Sequence, residues 1–427
     1  SHRQFRFSSV NLSQTRSEGS MQPQPHWFRG IFAMALGMAG AALSQNKPTA
    51  AAAPNQEAPM SNSPVSIIRH GIVCSLPQEK FGYFGWPSVT RQDDGTLCAV
   101  ASGLRFQHVC PWGRTTICKS RDNGQTWTYP QVVNNTPLDD RDAGIVSLGG
   151  QRLLVTWFTS NTSHYFSRDP NNWLKKSFPP DDFEAMGKLL DTWTDDMRAK
   201  WIGSWFRISE DGEYWGDFQR APVNTPHGPI VLADKSWLYL GKRWDLNDKK
   251  TMHAGGGPIQ AASSDDEGKT WRLLGEIPLP EGMVNQHAHE PHVAALPDGR
   301  LFAAVRYEKP FQVLFSESSD GGATWSVARP SGAMGSPPHL LLHSSGALIC
   351  VYGYRMQPFG QRTLISRDLG KTWLQDIILR DDGPDGDLGY PCSVELADKS
   401  ILTVYYQKCH AGEKCSILYT LWKLNLD

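Results

Sequence analysis

Six times along the chain a polar start leads into an apolar run, a turn containing Gly, Asp or Ser, and a second apolar run. The stretches read GWPSVTRQDDGTLCAVASGLR (85–105), RDAGIVSLGGQRLLVTWFTS (141–160), HGPIVLADKSWLYLGKR (227–243), EPHVAALPDGRLFAAVR (290–306), PPHLLLHSSGALICVYGYR (337–355) and GYPCSVELADKSILTVYYQ (389–407). Short apolar runs bounded by turn residues predict strands joined as hairpins. A repeat of this kind overrides the usual division of such a length into two or three domains, because repeated units can build one closed architecture.

A second pattern follows five of the six units: SRDNGQTW (120–127), SEDGEYW (209–215), SDDEGKTW (264–271), SSDGGATW (318–325) and SRDLGKTW (366–373). Its chemistry is local. The Asp accepts hydrogen bonds across a hairpin turn, the Gly takes a positive φ, and the Trp packs between neighbouring sheets. The motif therefore reads as a staple for a four-stranded unit. The sixth unit lacks it and is expected to draw its outer strand from the other chain end, with VSIIRHGIV (65–73) pairing beside SILYTLWKL (416–424) so that no edge is exposed. The longest interval between staples holds PPDDFEAMGKLLDTWTDDMRAKWI (179–202), whose proline start, acidic first turn and apolar spacing predict an inserted helix, either a lid or a surface decoration.

The five copies resemble the Asp box of the sialidase (neuraminidase) superfamily and the BNR-repeat β-propellers. The resemblance implies an all-β fold, a six-bladed β-propeller of sialidase type, with a short helical insertion in blade 2 and one blade opened by each unit.

Composition narrows the partners. Lys plus Arg (42) balance Asp plus Glu (43), so no global field draws nucleic acid or an anionic membrane. Near the amino end, Met21, Arg29, the apolar run IFAMALGMAGAAL (31–43) and Ser44 fit a secretory signal peptide and are too short for a membrane span. The expected organisation is a leader and signal peptide over 1–45, a disordered linker over 46–64 and a catalytic propeller over 65–427, hence a secreted or periplasmic protein without stable membrane insertion. No feature specifies an oligomeric state. The eight cysteines lack ligand spacing, so neither a metal nor another cofactor is expected. Cys409 and Cys415, flanking HAGEK, are candidates to close a hairpin loop, and most of the others are small core residues.

In an up-and-down blade the start of the first strand and the end of the second share one face of the ring, and the staples lie on the other. Chemistry is therefore sought where the units begin and end. The starts supply Asp139, Asp140, Arg141, Asp142, His227, His287, His289, Glu290, His339, Asp387 and Tyr390, and the ends supply Arg105, Arg243, Arg306 and Arg355. Four arginines at one recurring position predict an anion site, since guanidinium forks match a carboxylate in two-point geometry.

The resemblance assigns roles. Sialidases hold the substrate carboxylate with three arginines, use a tyrosine nucleophile activated by a glutamate, and employ an aspartate as acid/base. HEPHVAALPDGRLFAAVR is similar to the segment carrying that glutamate and one arginine, which implies Glu290 and Arg306; DLGYPCSVELADKSILTVYY is similar to the nucleophile segment, which implies Tyr390. Two departures stand out. Trp86 occupies the place of the usual first arginine, so Arg105, Arg141 or Arg355 has to substitute, and the loop after the first unit, RFQHVCPWGR, offers His108 where an aspartate is usual. Asp142 and Asp140 are the first candidates for the proton donor, with His108 their rival. The resulting expectation is an exported exo-glycosidase acting on terminal sialic acid or a related acidic sugar of a glycan, with His227 and His289 also among the substrate contacts. A polysaccharide lyase using His227, His289 and His339 on a uronate, another glycosidase of uronic-acid-containing glycans, and a non-catalytic glycan-binding propeller are the alternatives.

Overall fold

The computed structural model describes residues 63–166, 172–243 and 256–425. The expected leader and the linker up to residue 62 lie outside the described residues.

Six sheets follow one another along the chain, each paired strand to neighbouring strand and antiparallel. Blade 1 comprises Tyr83–Arg91, Leu97–Arg105, Arg114–Ser120 and Gln131–Asn134. Blade 2 comprises Asp139–Gly149, Arg152–Ser160, Gly203–Ser209 and Gln219–Arg220. In blade 3 the innermost strand is split into Val223–Asn224 and Ile230–Val231, followed by Trp237–Arg243, Ile259–Ser264 and Arg272–Glu276. Blade 4 runs Ala288–Ala295, Leu301–Glu308, Phe311–Ser318 and Arg329–Pro330, and blade 5 runs Pro338–Leu342, Leu348–Tyr354, Gly360–Ser366 and Leu374–Arg380. Blade 6 takes Gly389–Glu395, Ile401–Gln407 and Ser416–Leu424 from the carboxyl end, and Val65–Cys74 pairs antiparallel with Ser416–Leu424 as its outer strand. The ring is thus closed as the sequence predicts.

The core lies between blades. Leu402, Val404 and Tyr406 of blade 6 pack with Phe84, Val89 and Leu97 of blade 1, and comparable apolar clusters fill the other five junctions. The staples contribute to these seams. In blade 5, Asp368 accepts from Ser366 Oγ at 2.8 Å and from Thr372 N and Oγ1 at 2.8 and 2.6 Å, while Trp373 stacks on Phe315 of blade 4 with ring centroids 4.8 Å apart. The staple sits beside the start of the second strand, since Ser120 pairs with Leu97, and so at the opposite end of the blade from Arg105. Chemistry at Arg105's end is separated from the staples by the length of the strands.

The insertion leaves the second strand of blade 2, on the same face as Arg105. It forms two helices, α1 (Pro180–Asp191) and α2 (Asp195–Trp201), where one was expected. The break falls at Thr192–Thr194 because Thr194 adopts an extended conformation and its hydroxyl caps α2 by accepting from Met197 N. Met186 and Leu190 of α1 bury against Phe166, Leu174, Phe178 and Trp193, with Phe106 and Trp112 of blade 1 alongside. No helix among the described residues is long and apolar enough to cross a membrane. Cys409 and Cys415 do not form the expected bridge: both are free thiols, and Cys415 is buried with its Sγ directed at the Asp387 carbonyl, 3.2 Å away.

Candidate active site

The innermost strands of four blades share a local distortion that assembles the site. Their pairing slips between Gly85 and Ser88, Arg141 and Gly144, His289 and His292, and Gly389 and Cys392. The first residue of each bulge is a non-glycine with positive φ: Trp86 (54°), Asp142 (49°), Glu290 (47°) and Tyr390 (53°). Such a conformation costs on the order of 1–3 kcal/mol per residue and persists only where surrounding structure holds it. The bulge takes the side chain out of the strand's alternation and re-aims it. Residues from blades 1, 2, 4 and 6 thereby meet at the ring centre.

At that centre the Tyr390 hydroxyl donates to Glu290 Oε1 at 2.5 Å. Arg306 Nη1 donates to Glu290 Oε2 at 2.6 Å and lies 3.3 Å from the Tyr390 oxygen, while its Nη2 reaches Glu308 at 3.2 Å. Burial pushes the Glu290 carboxyl up, yet Arg306 and the Tyr390 hydroxyl outweigh burial and hold it below its ordinary value. The Tyr390 phenol is pushed well up by burial and by the carboxylates Glu290 and Asp142. Asp142 is raised to about 7, first by burial and then by Glu290, against the pull of Arg141 and Arg306. Two nearby carboxyls are thus driven apart, one ionised and one protonated near neutrality, the arrangement that separates a base from an acid.

Arg141 lies flat against Trp86, its guanidinium carbon 4.2 Å from the ring centroid, with Nη1 3.4 Å from Asp139. Arg355 donates Nε to the Leu388 carbonyl at 2.9 Å and approaches the Tyr406 hydroxyl at 3.3 Å. Arg306 and Arg355 both flank the Phe311 ring, and Arg355 also flanks Tyr390. Among the described residues the one ion pair of Arg141 is the long contact to Asp139, and Arg355 has no carboxylate within ion-pair distance. Arg141 Nη2 and Arg355 Nη1 carry no hydrogen bond among the described residues, so one arm of each fork can still donate to an anion.

Other expected site residues are elsewhere. Arg105 is fully buried and spent: it grips Asp139 at 2.6 and 3.2 Å and the carbonyls of His108 and Cys110 at 3.2 and 3.1 Å. Gly113 leaves room for this pair, since a Cβ there would stand 1.9 Å from Arg105 Nη1. Arg243 turns outward along its own sheet to Gln260 at 3.1 Å and Glu276 at 3.6 Å. Asp140 is buried among Thr136, Asn134 and Thr159, which all donate to it, and although burial raises it to about 6 it has no path to the centre. His227 is buried beneath the floor, bonded to Ser88 at 3.0 Å and packed with His292 and His339. Burial keeps all three imidazoles well below the usual histidine range, and they pack on one another as an axial plug. His108 stays at the rim, bonded to Asp387 at 2.8 Å and edge-on to Trp86; burial lowers its imidazole despite the Asp387 carboxylate. His289 is partly open beside Glu308, 3.8 Å away.

Sequence reasoning placed Asp139 on this face without giving it a role, and missed Glu308, Tyr406 and Lys242. Strand alternation carried a signal for Asp139, because it and Arg141 are two apart and meet Arg105 and Trp86 together, whereas Asp140 faces the threonines. The expectation that the four strand-end arginines are equivalent also fails. Register sets Arg306 opposite His289 and Lys242 opposite Asn224, so Lys242, not Arg243, is the blade 3 counterpart of Arg306.

The match to a BNR repeat-like domain covers residues 189–404. A sialidase from Paraclostridium sordellii is 24% identical over 272 residues, a match spanning 58% of this chain and 58% of that relative. Among solved structures, a protein of unknown function from Dyadobacter fermentans superposes with a TM-score of 0.65 at 20% identity, over 85% of this chain and all of that one (100%). The NanB sialidase from Streptococcus pneumoniae superposes with a TM-score of 0.55 at 15% identity, over 86% of this chain and 72% of that one.

Proposed function

The chain belongs to the BNR repeat-like family and is a sialidase-like propeller, and from that premise we propose that it is an exo-glycosidase removing a terminal acidic sugar, sialic acid or a close relative, from a glycan. The observation that carries the proposal is the Tyr390–Glu290–Arg306 contact set. A phenol is a poor nucleophile at neutral pH, and a carboxylate at hydrogen-bond distance is the means of taking its proton.

In the first half-reaction the Tyr390 oxygen bonds to the anomeric carbon as its proton passes to Glu290. The bond to the departing oxygen breaks, and that oxygen takes the proton of Asp142. In the second half a water gives its proton to the Asp142 carboxylate and bonds to the anomeric carbon, while the tyrosyl oxygen leaves and recovers its proton from Glu290. Configuration is retained through two displacements. Arg141, Arg306 and Arg355 hold the sugar carboxylate, and a neutral nucleophile avoids the repulsion that an anionic one would meet beside that group. No step needs a cofactor. The apolar stretch 31–43 supports export as part of this proposal.

Of the three histidines in the lyase alternative, His227 and His339 are buried, which leaves that reading to rest on His289 alone. Incubation with a fluorogenic sialoside tests the proposal. Release of fluorophore by wild type and its loss in Tyr390→Phe support it; an unsaturated uronate from a polyuronate would indicate a lyase, and neither product would indicate a glycan-binding propeller.

A further inference from the structure

Lys242 holds in blade 3 the place that Arg306 holds in blade 4. Asn224 pairs with Lys242 and precedes Thr225-Pro226-His227, as His289 pairs with Arg306 and precedes Glu290-Pro291-His292. Yet Lys242 does not open on the mouth. It is 2% exposed, and its ammonium donates to the Ala288 carbonyl at 2.9 Å and to the Asn285 carbonyl. Lysine is almost never fully buried unless paired, and here its partners are main-chain oxygens of the neighbouring blade.

Those two oxygens bracket the turn Asn285–His287, which leads directly into the strand carrying His289 and Glu290. The turn's other ties are few: the His287 imidazole stands 3.8 Å from Glu308 and edge-on to Tyr307, and the Ala288 N–H closes on the Asn285 carbonyl. Its flanking Val284 N–H donates to the Tyr307 hydroxyl at 3.0 Å, and the His287 N–H closes back on Val284. Charge-assisted bonds are the stronger kind, and two of them from one ammonium fix both ends of a short turn. Glu290 begins the bulge two residues beyond Ala288, where its φ of 47° has to be held from outside.

We propose that Lys242 is a positioning residue, clamping the carbonyls of Asn285 and Ala288 so that Glu290 is presented to the Tyr390 hydroxyl. The inference rests on the reading of Glu290 as the base that activates Tyr390. A base displaced by ~1 Å can lose about 10²-fold in rate, so the effect falls on kcat.

Lys242→Met, which fills the space without the charge, and Lys242→Arg, which restores two-point donation, test it by kinetics and by amide hydrogen exchange over 284–291. The expected result for Lys242→Met is about 10²-fold lower kcat with KM within about twofold, and exchange over this segment at least about tenfold faster. Lys242→Arg is expected to recover most of both. Unchanged exchange in Lys242→Met overturns the positioning role even if the enzyme is a glycosidase. A kcat loss shared equally by the Arg variant, with exchange faster throughout the blade, overturns it in favour of a general packing role. If the wild type cleaves no sialoside the functional reading fails instead, and the exchange comparison still decides whether Lys242 clamps the turn.

Discussion

Tyr390 and Glu290 lie one hundred residues apart and on different blades, yet the phenol donates to the carboxylate across 2.5 Å. Arg306 touches both partners. If the three act as one unit, their removal is not additive. Tyr390→Phe is expected to lower kcat by at least about 10²-fold while shifting Tm by only a few degrees, because Arg306 still holds Glu290. Glu290→Gln is expected to lose similar turnover and more stability, on the order of 3–5 kcal/mol, because the buried Arg306 is left with Glu308 as its one carboxylate partner among the described residues. The double variant should be no slower than either single one. A double variant slower by the product of the two losses would show that the residues act independently.

Asp142 makes the pH dependence specific. Its carboxyl sits at about 7, raised by burial and by Glu290, and as proton donor it has to be protonated. Turnover is therefore expected to fall as pH rises through about 7, and Asp142→Asn to abolish that limb together with most of the rate. Stability moves in the same sense. The folded value lies above the unfolded value of about 3.9, so the favourable contribution is complete below about pH 3.9 and is lost as pH rises through about 7. Asp142→Asn, which never ionises, should melt higher than wild type at about pH 8 and close to it at about pH 4. Melting curves at the two pH values check this sign, and a lower Tm for Asp142→Asn at the higher pH would contradict it.

The anion site depends on a buried support. Arg141 lies on Trp86 and leans on Asp139, which Arg105 holds from the other side. Gly113→Ala places a Cβ 1.9 Å from Arg105 Nη1 and 2.2 Å from Asp139 Oδ1, so it forces the pair apart. Disrupting a buried pair costs about 3–5 kcal/mol, which urea unfolding would register, and the loosened Arg141 should raise KM. Arg141→Lys leaves the support intact and removes only the fork. It is expected to raise KM by about tenfold or more, the value of a charge-assisted bond, with a smaller change in kcat. If Arg141→Lys leaves KM for an acidic sugar unchanged, Arg141 is not the third carboxylate ligand.

The strand repeats and staples were legible because their information is local: each staple bonds within eight residues, and each hairpin carries its own turn. That register also located Glu290, Arg306 and Tyr390. Arg105 and Arg243 misled because the residue at a strand's end does not reveal which way its side chain turns. Register does: the bulge before His292 sets Arg306 opposite His289, and the corresponding pairing in blade 3 selects Lys242. A bulge adds one residue to one strand and leaves little trace in hydrophobic periodicity. The proline after Trp86, Glu290 and Tyr390 is a trace, since the residue before proline is already excluded from the right-handed helical region. Asp142, followed by alanine, lacks even that mark, and its distinction from Asp140 rests on tertiary contacts.

The staples offer the control that separates fold from chemistry. Asp368 collects bonds from Ser366 and Thr372 at the end of blade 5 away from Arg355, and Trp373 packs on Phe302 and Phe315 of blade 4. Trp373→Ala removes a seam between blades and is expected to cost about 3–5 kcal/mol. Asp368→Ala removes only the turn's bonds, so its cost should be smaller, about 1–3 kcal/mol. Neither side chain contacts Tyr390, Glu290 or the arginines, so kcat and KM measured well below the transition should stay within about twofold of wild type for both variants. A Tm that falls with unchanged kinetics assigns the staples to stability alone. A Trp373→Ala protein that is fully folded at the assay temperature but has lost turnover would instead mean that strain at the blade 4–5 seam reaches the bulge at Glu290.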